Sequence, residues 1–296
     1  MNVCRRQKIS LLAAILSLLL STIVLADPNP DTLLTNPLNR HNMSNWATHG
    51  GVKAAMVDGT DQICIFCHTP HAAEPVAAPL WNRTQPIGPA GGFPLYGGNL
   101  AIKDQLPGSS GIQAASQYGV GEYPNGSSRL CMSCHDGVTA VGVGLLRNGG
   151  DIVMTGTRLD ADGSLQGFVG GTGGNTPIAS IIDLAKAHPI SFIYNNAIAA
   201  SIDGVYSTMS PPGPYYQGPS AFDPAVNSPL DSQSRMQCTT CHDPHYDTSL
   251  AAGKSGLPPF WQNPSSTSPY TDLCAQCHIG GTPTGPTGAH NPGLGI

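Results

Sequence analysis

Eight of the nine cysteines in this 296-residue chain belong to four copies of one pattern, Cys-x-x-Cys-His. The cysteines are Cys64 and Cys67, Cys131 and Cys134, Cys238 and Cys241, and Cys274 and Cys277, and the histidines that follow them are His68, His135, His242 and His278. This pattern is the attachment signature of c-type haem. Two thiols one short turn apart can bond to the two vinyl groups of one porphyrin, and the next residue can bind its iron. The spacing therefore predicts four covalently attached haems c, with the four histidines as proximal iron ligands.

Three other readings of paired cysteines compete with haem attachment. Four Cys-x-x-Cys pairs could form two Cys4 zinc sites, disulfides in an oxidising compartment, or thioredoxin-like redox pairs. None of these requires a histidine after every second cysteine. Four such coincidences have a chance probability on the order of one in a million, which favours haem.

Six histidines remain as candidates for the distal side of the irons: His41, His49, His71, His188, His245 and His290. His71 and His245 each lie three residues after a proximal histidine, too close to reach the opposite face of the same ring. Each is therefore predicted to bind a neighbouring haem. Pro189 restrains His188 to extended backbone, as suits a rigid ligand. We predict His41, His71, His188 and His245 as distal ligands, whereas His49 and His290, in Gly-rich surroundings, are expected to be solvated.

The haem sites also read as a duplicated unit. The first and third motifs continue as Cys-His-x-Pro-His, but Val138 and Gly281 replace that last histidine after the second and fourth. The chain thus repeats an extended site followed by a plain one.

The N-terminus resembles an export signal. Arg5, Arg6 and Lys8 precede an apolar run that ends at Ala26, which predicts a signal peptide over residues 1–26, removed before Asp27. A retained membrane anchor is the alternative, although the run is at the lower length limit for spanning a bilayer. The mature chain would carry 10 basic and 18 acidic residues, because three of the 13 basic residues leave with the peptide. Its formal charge of −8, from 10 − 18, argues against nucleic acid as a partner.

The composition predicts little regular structure. The chain contains 36 Gly and 27 Pro but only six Phe and three Trp, so long helices and a large aliphatic core are not expected. Stretches such as residues 167–175 and 211–219 are predicted loops. We predict a single multihaem cytochrome c domain over residues 27–296. It would be mostly coil with short α-helices packed around four haems and little β-structure.

The order of segments resembles a known family. His41-Asn42-Met43-Ser44, residues 64–71 and Pro79-Leu80-Trp81-Asn82 are followed by residues 131–137, 188–192, 238–245 and 273–278. This order is similar to that in filament-forming multihaem cytochromes of metal-reducing bacteria, the OmcE-type tetrahaem outer-surface cytochromes. The resemblance spans most of residues 41–278 but not the long loops between the segments.

The resemblance implies a set of distal partners. His41 would cap the first haem, His188 the second and His245 the fourth, while His71 would bind the third haem of a neighbouring subunit. The duplication suggests a rival set, in which His71 caps the second haem of its own chain, His245 the fourth and His188 the third. Only the first set produces a homopolymer.

These expectations combine into a predicted function that is not enzymatic. The chain would transfer electrons through four bis-histidine haems at the outer cell surface, as an extracellular conductive filament. It would exchange electrons with other multihaem cytochromes and an extracellular acceptor. A monomeric periplasmic electron shuttle and a multihaem oxyanion reductase with one open haem are the alternatives.

Overall fold

A computed structural model describes residues 30–71, 73, 80–83, 124–136, 139–146, 150–165, 188–205, 216–223, 230–252, 260–262 and 273–279. The predicted signal peptide, the predicted loops at 167–175 and most of 211–219, and His290 lie outside these ranges. Within them, no helix has both the length and the apolar character needed to cross a bilayer.

Three α-helices are present in these ranges, of which one contains a complete Cys-x-x-Cys-His motif and another the two cysteines of such a motif. They are α1 (Gly126–His135), α2 (Asn196–Val205) and α3 (Cys238–Cys241). Single turns of 3-10 helix occur at Pro30–Thr32, Cys64–Phe66, Pro219–Ala221 and Thr248–Leu250. Gly126 begins α1 with a φ of +53°, and a Cβ there would lie 2.7 Å from Nε2 of Gln237. Glycine is therefore needed at the start of α1.

The strands form two small antiparallel sheets that join distant parts of the chain. β1 (Lys53–Ala54) pairs with β2 (Met154–Thr155), with Lys53 opposite Thr155. β3 (Phe192–Ile193) pairs with β4 (Arg235–Met236), with Phe192 opposite Met236. Strands of two residues supply few ladder hydrogen bonds, so the sheets act as ties between segments rather than as a core.

Two small apolar clusters lie beside the motifs. The first consists of Met43, Val52, Ala54, Phe66, Val141 and Ile152, with Ile65 and Cys67 of the first motif packed against it. The second consists of Phe192, Tyr194, Ala199 and Met236, with Cys277 of the fourth motif against it. Each cluster therefore has the second cysteine of a Cys-x-x-Cys-His motif at its edge.

Buried polar side chains replace much of the missing regular structure. Asn39 is fully buried, and its amide donates to the carbonyl oxygen of Thr32 at 3.0 Å. The amide of Gln237, also buried, donates to Asn125 at 2.9 Å and to Asp231 at 3.0 Å. Such bonds satisfy backbone and side-chain groups that would otherwise be buried without partners.

The N-terminal segment docks on the chain that follows the third motif. Leu33 bridges to Tyr246, and the amide of Asp247 donates to the carbonyl oxygen of Thr32 at 2.8 Å. The fully buried carboxylate of Asp247 lies 3.6 Å from the guanidinium of Arg40. This docking brings His41 to a part of the fold that lies about 200 residues further along the chain.

Candidate functional site

All four Cys-x-x-Cys-His motifs have the same local turn. The backbone amide of the histidine donates to the carbonyl oxygen of the first cysteine, at 2.8 Å for His68, 2.9 Å for His242 and 2.9 Å for His278. The second motif lies wholly in α1, where the same one-turn spacing holds. Each turn thus brings two thiols and an imidazole together within five residues.

Consecutive motifs lie next to one another in space. The thiol of Cys131 hydrogen-bonds to that of Cys238, and this contact, with burial, raises the pKa of Cys131 while the same contact lowers that of Cys238. Burial is the main cause that raises the pKa of Cys67 to about 12, and the nearby Cys134 adds to the shift. Burial likewise raises the pKa of Cys241 to about 12, with smaller contributions from Cys274 and Cys277. In space, each motif therefore lies beside the next motif in the chain, from the first to the fourth.

Helices α1 and α3 form the closest of these contacts. The amide of Cys238 donates to the hydroxyl of Ser128 at 2.9 Å, and the hydroxyls of Ser127 and Thr239 lie 2.6 Å apart. The second and third motifs are thus held side by side by polar contacts from residues within or directly before them.

A tryptophan lies edge-on to each proximal histidine of the first and third motifs. His68 bridges to Trp81, with ring centroids 5.9 Å apart and planes at 89°. His242 bridges to Trp261, with centroids 5.4 Å apart and planes at 81°. The second tryptophan was not singled out in the sequence, although Pro259-Phe260-Trp261-Gln262 repeats the pattern of Pro79-Leu80-Trp81-Asn82.

Three of the predicted distal histidines face proximal histidines. Ring centroids are 6.1 Å apart for His41 and His135, 6.4 Å for His245 and His68, and 6.4 Å for His188 and His278. An imidazole nitrogen binds a metal ion at about 2 Å and the ring centroid lies about 1 Å behind it, so two imidazoles on opposite sides of one iron have centroids about 6 Å apart. The three pairs have the separation that bis-histidine ligation requires.

A hydrogen bond at Nδ1 orients each distal ring of these pairs. Nδ1 lies 2.9 Å from the carbonyl oxygen of Pro244 in His41 and 2.9 Å from that of Pro189 in His188. In His245, Nδ1 lies 3.1 Å from the carboxylate of Asp243. An acceptor at Nδ1 fixes the tautomer in which Nε2 carries the lone pair for a metal.

Burial keeps most of the paired imidazoles neutral, which is the form that binds iron. Burial lowers the pKa of His135 to about 3, with the charges of His41, His242 and Arg83 adding to the shift. Burial, followed by His188, lowers the pKa of His278 to about 4. His245 differs, because its hydrogen bond to Asp243 raises its pKa.

These ring contacts do not follow either set of partners expected from the sequence, and the assignment of each distal histidine to an iron stays a prediction. His41 faces the histidine of the second motif rather than the first, and His245 faces that of the first rather than the fourth. His188 faces His278 of the fourth motif rather than the second or third. For His41, the cause is the docking of residues 31–40 on residues 245–249, which brings its imidazole to the carbonyl oxygen of Pro244.

The other two candidate distal histidines within the described ranges, His71 and His49, have different surroundings. The imidazole of His71 is exposed and makes no hydrogen bond or ring contact with those ranges, although its carbonyl accepts from the Thr69 hydroxyl at 2.7 Å. His49 uses both ring nitrogens, with Nε2 2.9 Å from the carbonyl oxygen of Asn42 and Nδ1 accepting from the amide of Gly51 at 3.1 Å. A metal ion could bind His49 only by displacing one of these partners.

Buried donors near the motifs suit the acidic groups of a haem. Nε1 of Trp81 and Nε of Arg129 are buried and have no hydrogen-bond partner in the structure. Haem propionates are carboxylates, and a charged acceptor would satisfy such donors. None of the eight cysteines forms a disulfide, and in the part of the chain described here no three His, Cys, Asp or Glu side chains converge on a bare metal ion. No protein-family model matches the chain, and no match is found among curated proteins.

Proposed function

We propose that this protein is an electron-transfer cytochrome that carries four covalently bound haems c. The observation that carries the proposal is the set of three histidine pairs, each of which joins a motif histidine to a distant histidine at 6.1 to 6.4 Å. The eight cysteines would hold the porphyrins, and the paired imidazoles would occupy both axial positions of three irons. Haem iron held by two imidazoles would supply a reversible one-electron change.

The order of the motifs supports transfer along a row. The thiols of Cys67 and Cys134, of Cys131 and Cys238, and of Cys241 and Cys274 are neighbours, so each haem would lie beside the next. The protein's part is to hold the four groups close together and to orient the axial ligands. Electrons could then pass directly from haem to haem without a conformational change.

Mass measurement tests the attachment. Protein secreted by a host that matures c-type cytochromes should retain four haems after acid–acetone extraction, and its thiols should not alkylate. A chain in which Cys238 and Cys241 are replaced by Ser should retain three. Loss of haem on extraction, or alkylation of all eight thiols, would refute the proposal.

We further propose that His71 joins subunits into a filament. The exposed imidazole has no partner in the described part of its own chain, and the three pairs use His68, His135 and His278. The family resemblance assigns to His71 the third haem of a neighbouring subunit, which Cys238, Cys241 and His242 would hold. A contact of this head-to-tail kind produces a ring if the rotation closes and a helical filament if it does not.

Electron microscopy with two matched variants tests the filament. His71→Ala should abolish filaments and leave one high-spin haem per chain, while all four thioether-bound haems are retained. His49→Ala removes another histidine outside the pairs and should leave both filaments and haem spectra unchanged. Wild-type protein that stays monomeric and fully low-spin at high concentration would instead indicate a monomeric shuttle.

A further inference from the structure

The guanidinium of Arg83 lies buried between the first and second motifs. The side chain is 1% exposed. Nε donates to the carbonyl oxygen of Ser133, inside the second motif, at 3.2 Å. The preceding residue, Asn82, donates its backbone amide to the carbonyl oxygen of Cys67 in the first motif at 2.9 Å. Arg83 therefore spans the junction between the two sites.

The partners of this cation are neutral. Besides Ser133, the guanidinium donates to the carbonyl oxygens of Val141 and of Ala140, the latter at 3.2 Å. Within the ranges that the structure covers, no carboxylate lies within ion-pair distance of it. By contrast, the half-buried guanidinium of Arg235, which lies shortly before the third motif, pairs with Asp231 at 2.7 Å. Arg83 thus places a guanidinium, which proteins do not deprotonate, in a buried site without a carboxylate partner among the described residues.

The charge acts on the second site. The three carbonyl oxygens that accept from the guanidinium, those of Ser133, Ala140 and Val141, belong to the second motif or to the residues that follow it, so the cation lies beside the second site. The charge of Arg83 also acts to lower the pKa of His135, as it does that of Cys67 in the first motif. If the second motif holds a haem, its reduction would add one electron and lower the charge of the site by one, with no proton transferred and no bond formed. A fixed positive charge therefore favours the reduced state, and poor screening in a buried site strengthens the effect.

We propose that Arg83 raises the reduction potential of the haem held by the second motif. The inference rests on the proposed haem function. It assigns to Arg83 a role in setting the reduction potential of the haem and not in attaching it to the protein. The electron would come from an adjacent haem, and the higher potential would favour its location on the haem of the second motif. Asp136, which follows His135, is a buried carboxylate that would oppose this effect, but it is present in every variant below and cancels in the comparison.

Spectroelectrochemical titration, fitted to four one-electron steps, tests the role. Arg83→Gln should lower one midpoint by roughly 59 mV, a tenfold change in the equilibrium constant for one electron, and Arg83→Lys should preserve most of that midpoint. Lys53→Gln is the matched control, because Lys53 is a half-buried cation whose ammonium also donates to a carbonyl oxygen, that of Ala47 at 2.7 Å. It should shift each midpoint much less, since solvent screens its charge.

A second variant guards against misfolding of Arg83→Gln. Ala140→Asp leaves the arginine in place but adds a carboxylate beside it, and should lower the same midpoint. Equal shifts of all four midpoints, equal shifts in Arg83→Gln and Arg83→Lys, or no shift beyond that of Lys53→Gln would overturn the inference. Haem mass is measured on the wild type and on each variant, so four retained haems with unmoved midpoints refute the role of Arg83 alone, whereas wild-type protein without haem refutes the proposed function.

Discussion

Leu80 and Phe260 adopt the same left-handed backbone conformation, with φ of 58° and 63°. Each stands directly before a tryptophan that lies edge-on to a proximal histidine. The residue after each tryptophan donates its amide to the second cysteine of a motif, Asn82 to Cys67 at 2.9 Å and Gln262 to Cys241 at 2.8 Å. The first and third sites are thus built on one repeated backbone path, and strain at a non-glycine residue persists because the surrounding bonds fix it.

The repeated path makes Trp261 a main support of the third site. Trp261 is 2% exposed, and its amide donates to the hydroxyl of Thr248 at 2.9 Å. Trp261→Ala should lower the free energy of unfolding by about 3–5 kcal/mol, because it removes buried aromatic surface and leaves a cavity. Denaturant titration of the haem-loaded protein measures this. Trp46→Ala, at a tryptophan 42% exposed, is the control and should cost clearly less.

Removal of one distal histidine should create one high-spin haem. In His188→Ala the fourth site would lose the imidazole that faces His278, and its iron would be left with one axial protein ligand. Electron paramagnetic resonance of the oxidised protein measures the high-spin fraction, expected at one haem in four. An unchanged spectrum would show that His188 is not a ligand.

Binding of carbon monoxide distinguishes an electron-transfer protein from a reductase. Assembled wild-type protein with both axial positions of every iron occupied should bind carbon monoxide poorly and slowly after reduction. Absorption spectra recorded over time measure the fraction of haem that forms an adduct. Rapid binding at one haem of the filament, in the absence of any substitution, would favour the reductase with one open iron.

Acid should weaken the contact between Asp231 and Arg235, which joins β4 to the turn before it. Burial alone would raise the pKa of Asp231, but hydrogen bonds from the backbone and guanidinium of Arg235 outweigh it, so the pKa lies below its ordinary value. A lowered carboxyl pKa stabilises the fold above the unfolded value of about 3.9, and this stability is lost as the pH falls through the folded pKa. Asp231→Asn should therefore destabilise the protein near neutral pH and flatten the fall in stability below about pH 4.

Thermal unfolding followed from pH 7 to pH 3 checks that difference. Asp61→Asn, at an exposed carboxylate, is the control and should keep the wild-type pH dependence. A wild-type profile in Asp231→Asn would mean that the Asp231–Arg235 contact contributes nothing to stability.

Local sequence determined which residues form each attachment turn. Two cysteines and a histidine within five residues need only one hydrogen bond, from the histidine amide to the first cysteine, to adopt the shared geometry. The six further histidines could also be recognised by count alone. Phe260 and Trp261 were missed, although a repeat search that included the residues beyond each motif would have found them.

Tertiary structure decided which histidines face each other. The pairing of His41 with His135 depends on contacts between residues 31–40 and 245–249, and nothing within either segment specifies the other. Arg83 shows the same division: its sequence context resembles that of any surface arginine, and its burial follows from Ser133, Ala140 and Val141 folding over it. Bonds within one turn are fixed by neighbours in the chain, whereas contacts between segments far apart depend on how the whole chain closes.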